Sequence, residues 1–136
     1  MNQLIKQKIR FRSKEKNIHK QVTVYLKLQY PKLIFRTDFS AGARMTIGQA
    51  VQHKQLQSGS GYPDLFIAKA CKGFHGLFLE LKRDVGEVFK KDGSLKAGDH
   101  ITEQAAMIER LNILGYKALF ACGFDHAKRV IDEYLY

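Results

Sequence analysis

Several motifs that mark other classes of enzyme are missing from this sequence. Its five histidines show no HExxH spacing, and its two cysteines, Cys71 and Cys122, belong to no CxxC pair, which argues against a zinc site. A GxxxxGK[ST] loop and a GxSxG elbow are also absent, which excludes nucleotide hydrolysis by a P-loop and a serine hydrolase of the elbow type. We expect both thiols to be reduced in an intracellular protein, with a disulfide between them as the alternative.

Long apolar runs are missing as well. No stretch approaches the roughly 20 apolar residues needed to cross a bilayer, and the basic N-terminus has no apolar segment of the signal-peptide kind behind it. We therefore expect a cytoplasmic protein with no membrane partner. A chain of 136 residues can form one packed core without disulfides or structural metals, so we predict a single domain over residues 1–136. Residues 1–12 would form a basic N-terminal arm.

Acidic residues are scarce in the N-terminal part of the chain. Up to Ser58 there are 12 lysines and arginines against two acids, Glu15 and Asp38, whereas residues 59–136 contain 11 basic and 11 acidic residues. The whole net charge of +10 thus lies before Gly59. A one-sided positive field attracts a polyanion such as nucleic acid, although a basic stretch alone is also consistent with a solubilising face.

Three charged residues stand in two neighbouring apolar runs. Asp64 lies in the run of residues 62–68, and Glu80 and Lys82 lie in the run of residues 76–82. Because strand side chains alternate between faces, Glu80 and Lys82 would point to one face, and a neighbouring strand would bring Asp64 beside them. Two close carboxylates repel each other unless a cation lies between them, and a hard ion such as Mg²⁺ suits oxygen ligands and substrate phosphates. The alternatives are a turn role for Asp64 and a simple salt bridge between Glu80 and Lys82.

The element order predicted from apolar periodicity and from turn residues is αβββαβα. Ser13 is the expected N-cap of the first helix, which Pro31 ends. We expect the third and fourth strands to be parallel, since a helical crossover joins them. The predicted strands are residues 33–38, 64–70, 76–82 and 116–122; the later helices begin at Asp99 or Thr102, with Gly115 as the stop, and cover 124–135; long loops occupy residues 40–61 and 83–99.

These motifs and their order resemble a known nuclease family. Pro63-Asp64, followed after 15 residues by Glu80-Leu81-Lys82, resembles the PD-(D/E)xK signature. A helix opened by residues 98–104 and a last strand begun by residues 115–118 follow, and Glu15 stands in the first helix. The ordered set, over roughly residues 13 to 135, is similar to the virus-type replication-repair nuclease (VRR-NUC) family in its small stand-alone form.

The resemblance implies a fold and a set of site residues. The fold is an α/β, PD-(D/E)xK restriction-endonuclease-like core, αβββαβ with a closing helix, in which helices flank a four-stranded mixed sheet. The metal ligands implied are Asp64, Glu80, the Leu81 backbone carbonyl and Glu15, directly or through water. Gln104 would hold Lys82 or a phosphate. For Glu15 a solvated helix-start glutamate, and for Gln104 an exposed helix glutamine, are the ordinary alternatives.

The sequence thus leads to the hypothesis of a Mg²⁺-dependent DNA endonuclease, with Mn²⁺ able to substitute. Lys82 would either stabilise charge on the phosphate or help to position and deprotonate the attacking water. The resemblance implies a homodimer acting on branched DNA such as Holliday junctions. The alternatives are a duplex-cutting repair or restriction nuclease of the same fold and a non-catalytic nucleic-acid-binding module. The predicted DNA contacts are Lys6, Lys8, Arg10, Arg12, Lys14, Lys16, Lys20, Arg44, Lys54 and Arg83.

Overall fold

The computed structural model describes residues 17–38 and 45–136 of the chain. Residues 17–29 are helical and are called α1 here. The remaining elements are β1 (Phe35–Thr37), α2 (Ile47–Gln55), β2 (Leu65–Ile67), β3 (Leu77–Lys82), a short 3₁₀ turn (Val85–Glu87), α3 (Asp99–Ile113), β4 (Lys117–Cys122) and α4 (Phe124–Leu135).

The four strands form one mixed sheet in the order β1-β2-β3-β4. β1 and β2 are antiparallel, as are β2 and β3, whereas β3 and β4 are parallel and are connected through α3. This confirms the α/β fold with a four-stranded mixed sheet and the parallel crossover predicted from the sequence. The strands are shorter than predicted, and β1 and β2 have only three residues each. Helix α4 has the predicted bounds.

Helices cover both faces of the sheet, and the alternation of β3 decides which residues meet which helix. Leu77, Leu79 and Leu81 join the larger apolar core, to which α1 contributes Ile18, Val22 and Leu26 and α4 contributes Ala127, Val130, Ile131 and Tyr134. On the opposite face, Phe78 packs with Met107 and Leu111 of α3. The even-numbered residues of β3 therefore face α3, which places Glu80 and Lys82 on the α3 side of the sheet.

The packing of α1 against α4 is reinforced by a partly buried pair of hydrogen bonds. The hydroxyls of Tyr25 and Tyr30 both donate hydrogen bonds to Asp132 Oδ1, at 2.5 and 2.7 Å. These bonds lower the pKa of Asp132 against the effect of burial. The helix that carries His19 is thus fixed to the rest of the molecule at its C-terminal end.

The prediction of an uninterrupted loop over residues 40–61 is wrong in part. Helix α2 occupies Ile47–Gln55 and begins with a capping box, in which the Thr46 side chain accepts from Gln49 N and the Gln49 side chain accepts from Thr46 N. The helix buries no residue, and its apolar side chains Ile47, Ala50 and Val51 span little more than one turn, which is too short for periodicity to predict a helix. Residues 83–99 are largely irregular as predicted, with only the 3₁₀ turn inside them.

The ends of α3 agree only partly with the sequence prediction. Its N-cap is Gly98, where Asp99 or Thr102 was expected, and the Thr102 hydroxyl instead donates to the Gly98 carbonyl. Gly115, at φ 97°, ends the helix as predicted, because a left-handed residue cannot continue it. Cys71 and Cys122 are both unpaired thiols. Among the described residues, no helix is long and apolar enough to cross a membrane.

Candidate active site

A notch in the sheet forms where β2 and β3 separate. The last pair of these two strands is Leu65 with Leu79, and extending the register by one pair places Pro63 opposite Leu81. Proline has no N–H to donate to the Leu81 carbonyl. The Leu81 N–H donates instead to the carboxylate of Asp64, at 3.1 Å from Oδ2. The sequence Pro63-Asp64 therefore ends the strand pairing and places one carboxylate over β3, beside the Leu81 backbone.

Glu80 and Lys82 lie side by side on β3, as the strand alternation predicted. Glu80 is 3% exposed and Lys82 is 7% exposed, and Glu80 Oε1 is 3.9 Å from Lys82 Nζ. This separation is longer than a hydrogen bond, so the ammonium offsets the charge of the carboxylate without binding it closely. Two charged side chains are thus kept inside the protein at one end of the sheet.

Gln104 connects this pair to α3. Its side chain is buried, and Nε2 donates to Glu80 Oε1 at 2.8 Å. The same nitrogen lies 3.3 Å from Nε2 of His100, one turn earlier on the helix. We expected Gln104 to hold Lys82 or a phosphate, whereas in the structure its amide nitrogen bonds Glu80. The alternative of an exposed helix glutamine is wrong, since Gln104 is buried.

The ionised forms of Asp64 and Glu80 are both unfavourable in this environment. Burial raises the pKa of Glu80 to about 9, with the negative charge of Asp64 as the second cause, and Lys82 acts against both. Burial also raises the pKa of Asp64, against the lowering effects of His19 and of the Leu81 N–H. Among the described residues, no N–H or O–H group donates to the buried Glu80 Oε2, although a hydrogen bond between the Asp64 and Glu80 carboxyl groups adds to the raised pKa of Glu80. A buried acceptor in this position is expensive unless a cation or a donor reaches it.

His19 is a site residue that the sequence analysis missed. It lies on α1, is 9% exposed, and places Nε2 3.7 Å from Oδ2 of Asp64. Its neighbour Ile18 packs in the core and thereby fixes the face that α1 presents to the sheet. No local pattern could have indicated this contact, because the two residues are 45 positions apart and meet only through the packing of α1 on β2.

The remaining predicted residues fall into three groups. Arg83 is half-buried, and both its backbone N and its guanidinium bond the Glu87 carboxylate. Lys20 and Lys54 are exposed on α1 and α2. The others lie outside the described residues: the arm of residues 1–12, the Ser13 cap, Glu15, Lys6, Lys8, Arg10, Arg12, Lys14, Lys16 and Arg44.

The oxygen atoms around the notch are of the kind that bind a hard divalent ion, but they do not form a complete metal site in advance. Within residues 17–38 and 45–136, no three His, Cys, Asp or Glu side chains already form a group able to hold a metal ion. The Asp64 and Glu80 oxygens and the Leu81 carbonyl are nevertheless ligands that Mg²⁺ takes, and Mg²⁺ commonly keeps several waters. Within the described part of the chain no donor reaches Glu80 Oε2, and both acids have a raised pKa, which fits a pair of carboxyl groups that a bound cation would stabilise.

A comparison with solved structures identifies the fold. A VRR_NUC domain protein superposes with a TM-score of 0.63 at 25% sequence identity, over 89% of this chain and 87% of that chain. No model of a protein family matches the sequence, and no curated protein matches it. The structural likeness supports membership of the VRR-NUC family and agrees with the α/β PD-(D/E)xK-like core, which is a nuclease-type fold.

Proposed function

We propose that this protein is a Mg²⁺-dependent endonuclease that hydrolyses phosphodiester bonds in DNA. The observation that carries the proposal is the arrangement of two acids around the notch, the partly buried Asp64 and the buried Glu80, with Lys82 beside them and with burial raising the pKa of both acids. A protein seldom maintains such a cluster for stability alone, because buried charges cost more than they return unless they are closely paired. The nuclease-type fold supports the same conclusion.

The side chains divide the chemistry between them. Asp64, Glu80 and the Leu81 carbonyl would hold the ion, which would polarise the scissile phosphate and lower the pKa of a bound water. Lys82 would stabilise the charge that develops on the phosphate oxygens, or orient the attacking water. Gln104 would keep the Glu80 carboxylate in one rotamer through its bond to Oε1, leaving Oε2 to face the ion.

The basic part of the chain would hold the DNA backbone. All of the net positive charge lies before Gly59, and the four described lysines there are exposed: Lys20, Lys27, Lys32 and Lys54. Contacts of this kind position a duplex without reading its bases. We further propose that the substrate is branched DNA such as a Holliday junction and that the protein acts as a homodimer, because one chain carries one site and cutting two strands requires two.

The proposal is tested by incubating the protein with a labelled four-way junction, a linear duplex and a single strand, each with Mg²⁺ or with a chelator. We expect cleavage that requires the ion and is strongest on the junction. Asp64→Asn and Lys82→Ala should each lower the cleavage rate at least about 100-fold, since they remove a ligand and a source of transition-state stabilisation. Binding of the junction should change little.

Charge-matched substitutions at exposed positions serve as controls. Glu109→Gln on α3 removes one negative charge, as Asp64→Asn does, and Lys91→Ala in the loop before α3 removes one positive charge, as Lys82→Ala does. Both controls lie away from the notch and should cleave DNA like the wild type. Junction binding without cleavage in any divalent ion would instead indicate a non-catalytic binding module. Equal cleavage of the linear duplex would contradict the proposed preference for branches.

A further inference from the structure

Tyr62 is an aromatic side chain that stands half exposed beside the acids of the notch. It directly precedes Pro63-Asp64 and is 47% exposed. Its ring meets the ring of Phe78 edge to face, with the centroids 5.5 Å apart and the planes at 87°. Phe78 lies two residues before Glu80 on the same face of β3, a rise of about 6.6 Å along the strand. The ring therefore lies on the α3 side of the sheet, at a distance from the acids close to the length of a nucleotide.

The backbone on both sides of Tyr62 is held in place. A Cβ at Gly61 would lie 2.5 Å from the Glu103 carbonyl oxygen, so the chain runs directly against the backbone of α3 there. Pro63, on the other side, is buried, and its ring fixes its own φ. The aromatic ring is thus oriented before any ligand arrives, which lowers the entropic cost of binding against it.

The same face of the sheet continues beyond Tyr62 as an exposed surface that includes a cation. Arg36 of β1 pairs with Phe66 of β2, whose ring stacks on Phe78 with 4.4 Å between the centroids, so Arg36 shares the face that carries Tyr62. Arg36 is exposed, as is Ile34, two residues earlier on that face. Burial raises the pKa of Tyr62, and the charge of Arg36 acts against that rise, as a nearby cation does. An aromatic ring and a guanidinium therefore lie together beside the notch.

We propose that Tyr62 is a platform on which an unpaired nucleobase next to the scissile phosphate stacks, with Arg36 contacting the DNA backbone beyond it. The proposal rests on the function proposed above, since it names the DNA feature that the same site recognises. Stacking on tyrosine is independent of sequence, because every base has a π face. A base in a continuous duplex must first leave its stack, at a cost that is smallest where the DNA is already open. The ring therefore selects an open branch point by its structure and not by its sequence.

Photo-crosslinking with iodouracil tests the contact directly, because this base reacts with an aromatic side chain that stacks on it. Wild-type protein is bound, with Ca²⁺ in place of Mg²⁺ so that the DNA stays intact, to four-way junctions and linear duplexes that each carry iodouracil at one position. Mass spectrometry identifies the crosslinked residue. We expect a crosslink to Tyr62 only from positions at the branch point that flank the cleavage site. It should persist in Tyr62→Phe and disappear in Tyr62→Leu, which keeps an apolar side chain against Phe78.

Binding assays measure how much the stack contributes. We expect Tyr62→Leu to weaken junction binding about 5- to 100-fold, the range expected for the loss of one base–aromatic stack, and to change duplex binding much less. Tyr62→Phe should bind like the wild type, as should Tyr136→Leu, which removes an exposed tyrosine at the C-terminus. Arg36→Gln should weaken binding of both DNAs and reduce its salt dependence. Thermal melts followed by circular dichroism establish that each variant is folded.

The outcomes separate this inference from the proposed function. Cleavage of the junction by a wild type that gives no crosslink at residue 62, or equal losses of junction and duplex binding in Tyr62→Leu, would overturn the stacking platform and leave the nuclease proposal intact. A crosslink at Tyr62 in a protein that cleaves no DNA with any divalent ion would overturn the nuclease proposal and leave the ring with a role in DNA binding alone.

Discussion

At the scale of single residues, Glu80 shows most clearly how the site differs from an ordinary buried contact. One of its oxygens accepts from Gln104, and no N–H or O–H group of the described residues donates to the other, although the side chain is almost fully buried. Apolar surroundings and the nearby Asp64 both favour the protonated form, which is why its pKa rises from 4.5 to about 9. A cation in the notch would favour the ionised form and so offset the cost of its charge.

The stability of the metal-free protein should therefore depend on pH through Glu80. Because the folded-state pKa is above the unfolded value, the contribution is fully present below about pH 4.5 and is lost as pH rises toward 9. Glu80→Gln does not titrate, so in chelator at pH 8 its melting temperature should exceed that of the wild type by about 3 °C or more. Thermal melts between pH 5 and 9 measure this difference.

Mg²⁺ provides the second half of that experiment. It should raise the melting temperature of the wild type at pH 8 and leave that of Glu80→Gln nearly unchanged, because the variant has lost a ligand. The exposed Glu109→Gln should behave like the wild type in both conditions. A wild type whose stability does not fall between pH 5 and 9 would contradict the assignment of a strained buried acid.

Gln104 is expected to act on the reaction through Glu80. Gln104→Ala removes the donor to Oε1 and leaves the carboxylate free to rotate, so we predict a cleavage rate about 10- to 100-fold lower, with a higher Mg²⁺ requirement and unchanged junction affinity. Cleavage assays over a range of Mg²⁺ concentrations measure both effects. Gln29→Ala, an exposed glutamine at the end of α1, is the matched control. A Gln104→Ala enzyme with wild-type kinetics would show that the bond has no positioning role.

At the scale of elements, the loop before β2 is held against α3 at one point. Gly61 has φ 82°, and a Cβ built there would lie 2.5 Å from the Glu103 carbonyl oxygen and 2.9 Å from Gln104 N. Only glycine tolerates both the left-handed backbone and the close approach of helix backbone. This contact sets the distance between the strand that begins after Asp64 and the helix that carries Gln104.

Gly61→Ala should therefore damage both stability and catalysis. Gly93 has nearly the same φ, 86°, but nothing lies within 4 Å of its would-be Cβ, so Gly93→Ala isolates the backbone cost at about 1 kcal/mol. We predict that Gly61→Ala costs about 1–3 kcal/mol more and lowers cleavage, because the loop and α3 must separate. Urea denaturation and the junction assay measure the two effects. Equal losses in the two variants would contradict the contact.

The elements also show why sequence reasoning succeeded in some places and failed in others. The positions of Glu80 and Lys82 follow from alternation within one strand, and the parallel β4 follows from the crossover rule, so both were predictable from local pattern. Helix α2 was missed because it buries nothing and its apolar residues span little more than one turn. His19 was missed because its contact with Asp64 depends on the packing of α1, which no local pattern encodes.

At the scale of the whole molecule, the edge of the sheet at β4 is partly capped by side chains. Lys117 N and Gly123 N donate to the carbonyls of Gly76 and Lys82, so the backbone groups of the even-numbered residues of β4 point to the open edge. There the Asn112 side chain bonds both backbone groups of Ala118, and His126 Nδ1 accepts from Cys122 N. These bonds occupy three of the groups that a strand from another chain would need, so we expect the proposed dimer to form through other surfaces.

The distribution of charge is the other property of the whole chain that bears on function. The acids of the notch lie in the electrically balanced part, whereas the excess of +10 lies entirely before Gly59. A polyanion would therefore be attracted by one part of the sequence and cut by another. Under the proposed function, this division would let the basic part attract the DNA although the side chains of the notch include two acids.

The claim on which the others depend is that Asp64 and Glu80 capture a divalent ion beside Lys82. The most direct measurement is the anomalous difference density of a crystal of the protein soaked in Mn²⁺. We predict a single strong peak between the two carboxylates, about 2.2 Å from an oxygen of each and within reach of the Leu81 carbonyl. Density elsewhere, or an empty notch with the two acids still bonded only to their present neighbours, would contradict it.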